Sequence, residues 1–175
     1  MDRSDGESVI HHSSFIPQHS LRSVLFVCTG NTCRSPLAAA ICERLLAGRL
    51  GCAVAELPAR GFVVRSAGVA AVPGDAATPQ AVDVAAEAGI DLTGHRSTPV
   101  SAELLAAATD VLAMTHGHAA ALALRYPGAG PGVRLLGGPG GDLPDPIGGD
   151  AAVYRTCAGM IAAHLDRHLA EWLRS

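Results

Sequence analysis

The stretch Ser23-Val24-Leu25-Phe26-Val27-Cys28-Thr29-Gly30-Asn31-Thr32-Cys33-Arg34-Ser35-Pro36 decides how the rest of the chain reads. Its apolar run, Val24 to Val27, has the length of a strand buried on both faces. The run stops at Cys28, small and turn-forming residues follow, and Pro36 starts an alanine-rich segment. Proline suits the first turn of a helix, where its missing N–H costs no hydrogen bond. Strand, tight loop and helix N-terminus together make an anion site. Loop N–H groups point inward and the positive end of the helix dipole adds to them.

The residues in that loop set its chemistry. A cysteine that faces inward N–H groups and a helix N-terminus favours the thiolate, which is the nucleophilic form. Arg34, six residues on, can return to the same cavity, where its planar fork matches two oxygens of a phosphate-like anion. The chain holds no Gly-x-x-x-x-Gly-Lys-Ser/Thr, so this is not a nucleoside-triphosphate loop. A strand-to-helix turn with an inert buried cysteine is the plain alternative. Against it, strand, turn, second cysteine, Arg-Ser-Pro and helix all agree.

Val27-Cys28-Thr29-Gly30-Asn31-Thr32-Cys33-Arg34-Ser35-Pro36 resembles the signature of the low-molecular-weight protein tyrosine phosphatase family, and the likeness extends over about residues 22 to 174. Within that family, Cys-Thr-Gly-Asn-Thr-Cys-Arg-Ser-Pro is similar to the bacterial protein-arginine-phosphatase branch. Members acting on phosphotyrosine usually carry a larger aliphatic residue where this chain has Thr32. The resemblance implies Cys28 as nucleophile, Arg34 as phosphate clamp, and Thr29, Gly30, Asn31, Thr32, Cys33 and Ser35 as the phosphate-binding loop. It implies no metal and no cofactor.

Away from the loop the sequence bounds the answer. Its 175 residues suit one domain with a real core. Hydrophobic residues make up 49% but aromatics only 3%, which predicts closely packed helices with thin side chains. The net charge of −3 gives no reason to expect a nucleic-acid partner, and no apolar run reaches membrane-span length. Five cysteines, an odd number without a secretory signal, fit a reducing cytoplasm. Residues 1 to 21 read as a flexible polar tail, with residues 22–175 as the phosphatase domain. His11, His12 and His19 read as solvated tail residues, because nothing there fixes a ligand geometry.

Leu37 to Leu50 reads as a helix weakened and ended by Gly48 and Gly51, with Cys42 as a small buried hydrophobe inside it, and Cys52 to Arg60 as a connection. Gly61 to Val69 is the second strand. The family likeness implies that Ser66 hydrogen-bonds Asn31. Thr78-Pro79 predicts a helix from Pro79 to about Ala88, stopped by Gly89. The turn Ile90 to Arg96 places His95. By resemblance, His95 joins Asn31, Ser35 and Ser66 in a network that holds the loop in shape. An asparagine in a left-handed conformation does need such support. Read without the family, His95 is an exposed loop residue.

Ser101 predicts another helix cap, and Asp110 to Met114 the third strand. His116 and His118 form a pair of metal-ligand type, but no carboxylate or cysteine partner stands nearby in sequence. A loop leading into a helix over Ala119 to Arg125 is preferred. Val133 to Leu136 is a short fourth strand, followed by a long irregular loop from Gly137 to Asp150. Asp145 lies between two prolines, and Pro146 forces it extended. Thiolate-based phosphoryl transfer needs an acid to protonate the leaving group, and Asp145 is the candidate. The family carries its general acid in such an Asp-Pro loop. Asp142 is the rival, and Asp150 reads as the cap of the last helix. Many relatives have an aromatic residue after Asp-Pro where this chain has Ile147, which leaves the substrate wall aliphatic. Asp150 to Arg174 is the C-terminal helix, with Val153, Cys157, Ile161, Leu165, Leu169 and Trp172 as its apolar stripe. His164 and His168 lack the glutamate of a His-Glu-x-x-His motif and read as flank residues.

The expected fold is α/β: a doubly wound, four-stranded parallel sheet with helices on both faces and the phosphate loop after strand 1. The expected activity is a cysteine-dependent phosphatase with a phosphocysteine intermediate, acting on phosphorylated proteins. Thr32 and Ile147 set the substrate. The Thr32 hydroxyl favours a polar, planar guanidinium leaving group, with phosphotyrosine as the alternative. Ser35 could hydrogen-bond the Cys28 sulfur and ease its departure. A related arsenate reductase needs further cysteines downstream, and there are none between Cys52 and Cys157. A non-catalytic phosphate-binding module would not need Cys28, Arg34 and Asp145 together. Cys28 and Cys33 share one loop and could form a reversible disulfide under oxidant.

Overall fold

The first strand, β1 (Arg22–Cys28), is apolar from Val24 to Cys28 because helices cover both sides of it. Val24, Phe26 and Cys28 point into one core, Leu25 and Val27 into the other, and all five are buried. The computed structural model describes residues 21–174. The expected tail, with His11, His12 and His19, lies outside the described residues apart from Leu21.

From β1 the chain runs through α1 (Arg34–Leu50), β2 (Phe62–Gly68), α2 (Pro79–Glu87), α3 (Ala102–Ala106), β3 (Asp110–Ala113), α4 (His116–Arg125), β4 (Val133–Leu135) and α5 (Ala151–Trp172). The four strands are parallel, as expected, and lie in the order β2-β1-β3-β4. The chain leaves β1 toward β2 and comes back to its other side as β3. The C-terminal end of β1 is therefore the point where the winding direction reverses, the usual place for a ligand in such sheets. Leu37, Leu46, Ala81, Val84, Ile161 and Leu165 pack on the Val24–Phe26 side, and Val100, Leu105 and Leu122 on the Leu25–Val27 side.

Several boundaries differ from the sequence expectation for physical reasons. Helix α1 starts at Arg34, so Pro36 is its third residue, and Gly51 closes it with φ 61°. The supposed connection over Cys52 to Arg60 holds a 3-10 helix, Val54–Arg60. It is started by the Glu56 carboxylate accepting from Ala53 N at 2.7 Å, and Leu57 pins it to the core. Thr78 stands at the N-cap of α2, but its side chain makes no cap bond; its backbone N–H donates to Thr32 O at 2.8 Å. Helix α4 starts at His116, three residues early, because Thr115 Oγ1 accepts from His118 N. On α5 Val153 is exposed, and Tyr154 takes its place in the core. Asp150 caps α5 as expected, accepting from Ala152 N at 2.9 Å and Val153 N at 3.1 Å.

Candidate active site

Residues 29 to 33 bend around the Cys28 sulfur at the end of β1. Asn31 N donates to Cys28 Sγ at 3.3 Å, and the Ser35 hydroxyl lies 3.0 Å from the same sulfur. The bend requires Asn31 to stand at φ 55°, the one non-glycine left-handed residue among those described. Asparagine tolerates that region at a cost that its surroundings must offset. Every polar atom of its side chain is engaged. Nδ2 donates to Ser35 Oγ at 2.8 Å and to Ser66 Oγ at 2.9 Å, and Oδ1 accepts from Thr98 N at 2.8 Å. His95 Nε2 is 2.7 Å from Asn31 O. The structure thus brings Asn31, Ser35, Ser66 and His95 into one network. Ser35 accepts from Asn31, so its single hydrogen goes either to Ala67 O at 3.2 Å or to the sulfur.

Arg34 is buried and reaches across to the irregular loop before α5. Its Nη2 donates to Asp145 Oδ2 at 2.5 Å and its Nη1 to Leu143 O at 3.0 Å. Its Nε is buried without an acceptor among the described residues. Such a donor costs on the order of 1–3 kcal/mol, and an anion oxygen would satisfy it. Asp145 also accepts from Ile147 N at 3.3 Å and lies 3.9 Å from Cys33 Sγ. Burial first, then the neighbouring Cys28, pushes the Cys33 thiol up to about 12. Burial likewise pushes Cys157 up to about 11. Both therefore stay protonated at neutral pH.

The rival carboxylate is spent elsewhere. Asp142 accepts from His116 N at 2.8 Å and pairs with His116 Nδ1 at 2.7 Å, which holds its carboxyl below the usual range. Asp150 caps α5, so Asp145 alone of the three meets Arg34. Thr32 is half-buried in the loop, and Ile147 is exposed two residues after Asp145. His116 and His118 share no partner: His118 Nε2 lies 2.9 Å from Thr29 Oγ1. His164 and His168 also diverge, toward Arg167 and Leu136 O respectively. No group of three or more metal-binding side chains forms among the described residues.

Three contributors carry no local signal in the sequence. Thr98 and His118 arrive from distant elements. Gly68, paired with Cys28 in the sheet, is needed bare. A Cβ there would stand 2.9 Å from Asn31 N and closer still to Thr29 O.

Known proteins share this arrangement of chain. A protein-arginine-phosphatase of Geobacillus stearothermophilus is 41% identical over 156 residues, covering 87% of this chain and 96% of that protein. The low-molecular-weight protein-tyrosine-phosphatase Etp of Escherichia coli (strain K12) is 33% identical, covering 90% and 96%. A solved structure of the YwlE arginine phosphatase, a cysteine-to-serine mutant with a phosphorylated active-site serine, superposes with a TM-score of 0.75. It is 37% identical and covers 85% of this chain and 94% of that one. The family model for low molecular weight phosphotyrosine protein phosphatase matches residues 23–175, and the chain belongs to that family.

Proposed function

We propose that residues 22–175 form a phosphatase domain that removes phosphoryl groups from arginine side chains of proteins. The observation that carries the reading is one cluster: Cys28 Sγ held by Asn31 N and the Ser35 hydroxyl, at the foot of an Arg34–Asp145 pair. Cys28 attacks phosphorus while the P–N bond to the guanidino nitrogen breaks, and Asp145 protonates that nitrogen. Water then attacks the phosphocysteine. Asp145 takes its proton, the S–P bond breaks, and inorganic phosphate leaves. Ser35 donates to the departing sulfur. Arg34 and the loop N–H groups hold the phosphoryl oxygens and bind them more tightly as charge grows in the transition state. No step calls for a metal or cofactor.

Two facts favour phosphoarginine over phosphotyrosine. Identity to the arginine phosphatase, 41%, exceeds identity to the tyrosine phosphatase Etp, 33%. Thr32 offers a hydroxyl at the cleft edge, and a polar leaving group can meet it, whereas a larger aliphatic residue would favour an aromatic ring. The exposed aliphatic Ile147 agrees, since it gives no aromatic wall to stack on a phenyl ring. The five free thiols suit a reducing cytoplasm, where we place the enzyme, and no helix among the described residues is long and apolar enough to cross a membrane.

Phosphoarginine and phosphotyrosine peptides assayed in parallel, with Cys28→Ser as blank, test the reading. We expect kcat/KM to favour phosphoarginine and Thr32→Ile to move the ratio toward phosphotyrosine by about tenfold. A preference for phosphotyrosine keeps the mechanism and overturns the substrate. Activity on neither, with parent and blank alike, overturns the enzyme itself.

A further inference from the structure

Thr29 follows the nucleophile directly, yet no role above uses its side chain. Its hydroxyl is exposed at the mouth of the loop and lies 2.9 Å from Nε2 of the buried His118. The other ring nitrogen, Nδ1, lies 2.8 Å from Thr115 Oγ1. Thr115 Oγ1 already accepts the backbone N–H of His118 at 3.3 Å. A hydroxyl has one hydrogen. If Thr115 spends it on Nδ1, then Nδ1 is the acceptor, Nε2 carries the ring proton, and Nε2 donates to Thr29 Oγ1. Under the opposite wiring, Thr115 would accept twice and its own hydrogen would find no acceptor among the described residues, while Thr29 would spend its hydrogen on the ring. The first wiring satisfies every group and leaves the Thr29 hydrogen for the cleft.

We propose that His118 is a positioning residue that turns the Thr29 hydroxyl into a hydrogen-bond donor for the phosphoryl group. Accepting from His118 polarises the Thr29 O–H bond, so its donation strengthens where negative charge grows. The surroundings keep the ring singly protonated, as the wiring needs. Burial first, then the Arg34 charge, lowers the His118 pKa, with Asp145 and Asp142 pulling the other way. Thr29 adjoins Cys28 in the loop, so the pair stands at the end of β1 where the loop begins. This inference rests on the phosphatase reading but not on which phosphoamino acid is cleaved.

Two measurements on the full chain test it. A long-range proton–nitrogen spectrum of the histidine-labelled protein at pH 7 reads the tautomer directly. A proton on Nε2 alone is expected for His118; a proton on Nδ1, or on both, overturns the wiring. Then kcat/KM, on whichever phosphopeptide the parent turns over, and the Kd for inorganic phosphate are measured for Thr29→Val, His118→Ala and the double variant. Each single change should cost about tenfold, and the double no more than either, because both remove one shared donation. Losses that multiply to about a hundredfold, or a His118→Ala that matches the parent, overturn the proposal. If His118→Ala melts below the assay temperature, the tautomer of the parent and the Thr29→Val phosphate Kd decide: an unchanged Kd overturns it. A parent that cleaves neither peptide defeats the phosphatase reading, while the spectrum still decides the wiring.

Discussion

At the scale of the residue, Asn31 shows how one side chain can bind a loop to its surroundings. It takes a left-handed backbone conformation and ties Ser35, Ser66 and Thr98 together. Asn31→Ala should leave three polar partners unmatched and keep the backbone strain, lowering both Tm and kcat/KM, the latter by more than tenfold. Asn31→Gly removes the strain alone, so it should recover part of the lost Tm and little of the lost rate. Thermal melts beside steady-state kinetics check this, and equal behaviour of the two variants would sink it. The grouping of Cys28, Asn31 and Ser35 was legible because they sit within one short stretch. His118 was not, because Thr29 stands 89 positions away and neither residue is unusual in its own neighbourhood. Histidine spacing along the chain read as a loop leading into a helix; the fold adds that His116 is held by Asp142 and His118 by Thr29 and Thr115.

At the scale of the element, the centre of the sheet was legible because β1 and β3, buried on both faces, read as largely apolar runs. Edges were less so. The start of α1 is made of Arg34 and Ser35, polar residues that are buried because they serve the loop, and polarity there masks a helical turn. On α5 the exposed Val153 and the buried Tyr154 exchange the places that hydrophobicity alone assigns them. The end of β2 carries a sharper demand. Gly68 lies under the backbone of Thr29 and Asn31, and those atoms cannot swing aside as a flexible side chain would. Gly68→Ala should therefore displace the loop and lower kcat/KM by about a hundredfold, with the helical circular dichroism unchanged. A variant with parental kinetics would show that the loop tolerates the shift. At the start of α5, Asp150→Ala removes a cap with two bonds and should cost about 1 kcal/mol in urea unfolding.

At the scale of the whole molecule, the sheet is tied at its N-terminal end by a buried carboxylate. Asp110 on β3 meets Arg22 of β1 at 2.8 Å and Arg134 of β4 at 2.5 Å. Burial raises its pKa, but the Thr109 hydroxyl and the two arginines more than offset that, and the net shift is downward. A lowered carboxylate pKa contributes stability that is complete above the unfolded value, near 4, and is lost as pH falls through the folded value. The stability gap between the parent and Asp110→Asn should hold steady from about pH 7 to 5 and close at lower pH. Urea titrations from pH 7 to pH 3 check it; a gap no smaller at pH 3 than at pH 5 would contradict it. His118 and His168 act at milder acidity. Burial is the first cause that lowers both. The unfolded chain therefore gains protons first, and stability declines as pH drops below about 6.5. His168→Asn should flatten that decline.

The contact between Arg34 and Asp145 makes the enzyme its own competitor. A carboxylate tethered 2.5 Å from the guanidinium occupies part of the fork that an incoming oxyanion must claim. Ligand affinity is then a difference between two bids for the same donor, and the internal one is always present. Asp145→Asn withdraws the resident bidder together with the proposed proton donor. The variant should retain phosphate or vanadate more tightly than the parent while turning over far more slowly, so that grip and throughput move in opposite directions. Calorimetry beside single-turnover kinetics would register that divergence, and a variant weaker in both would show that Asp145 holds Arg34 ready rather than contending for it.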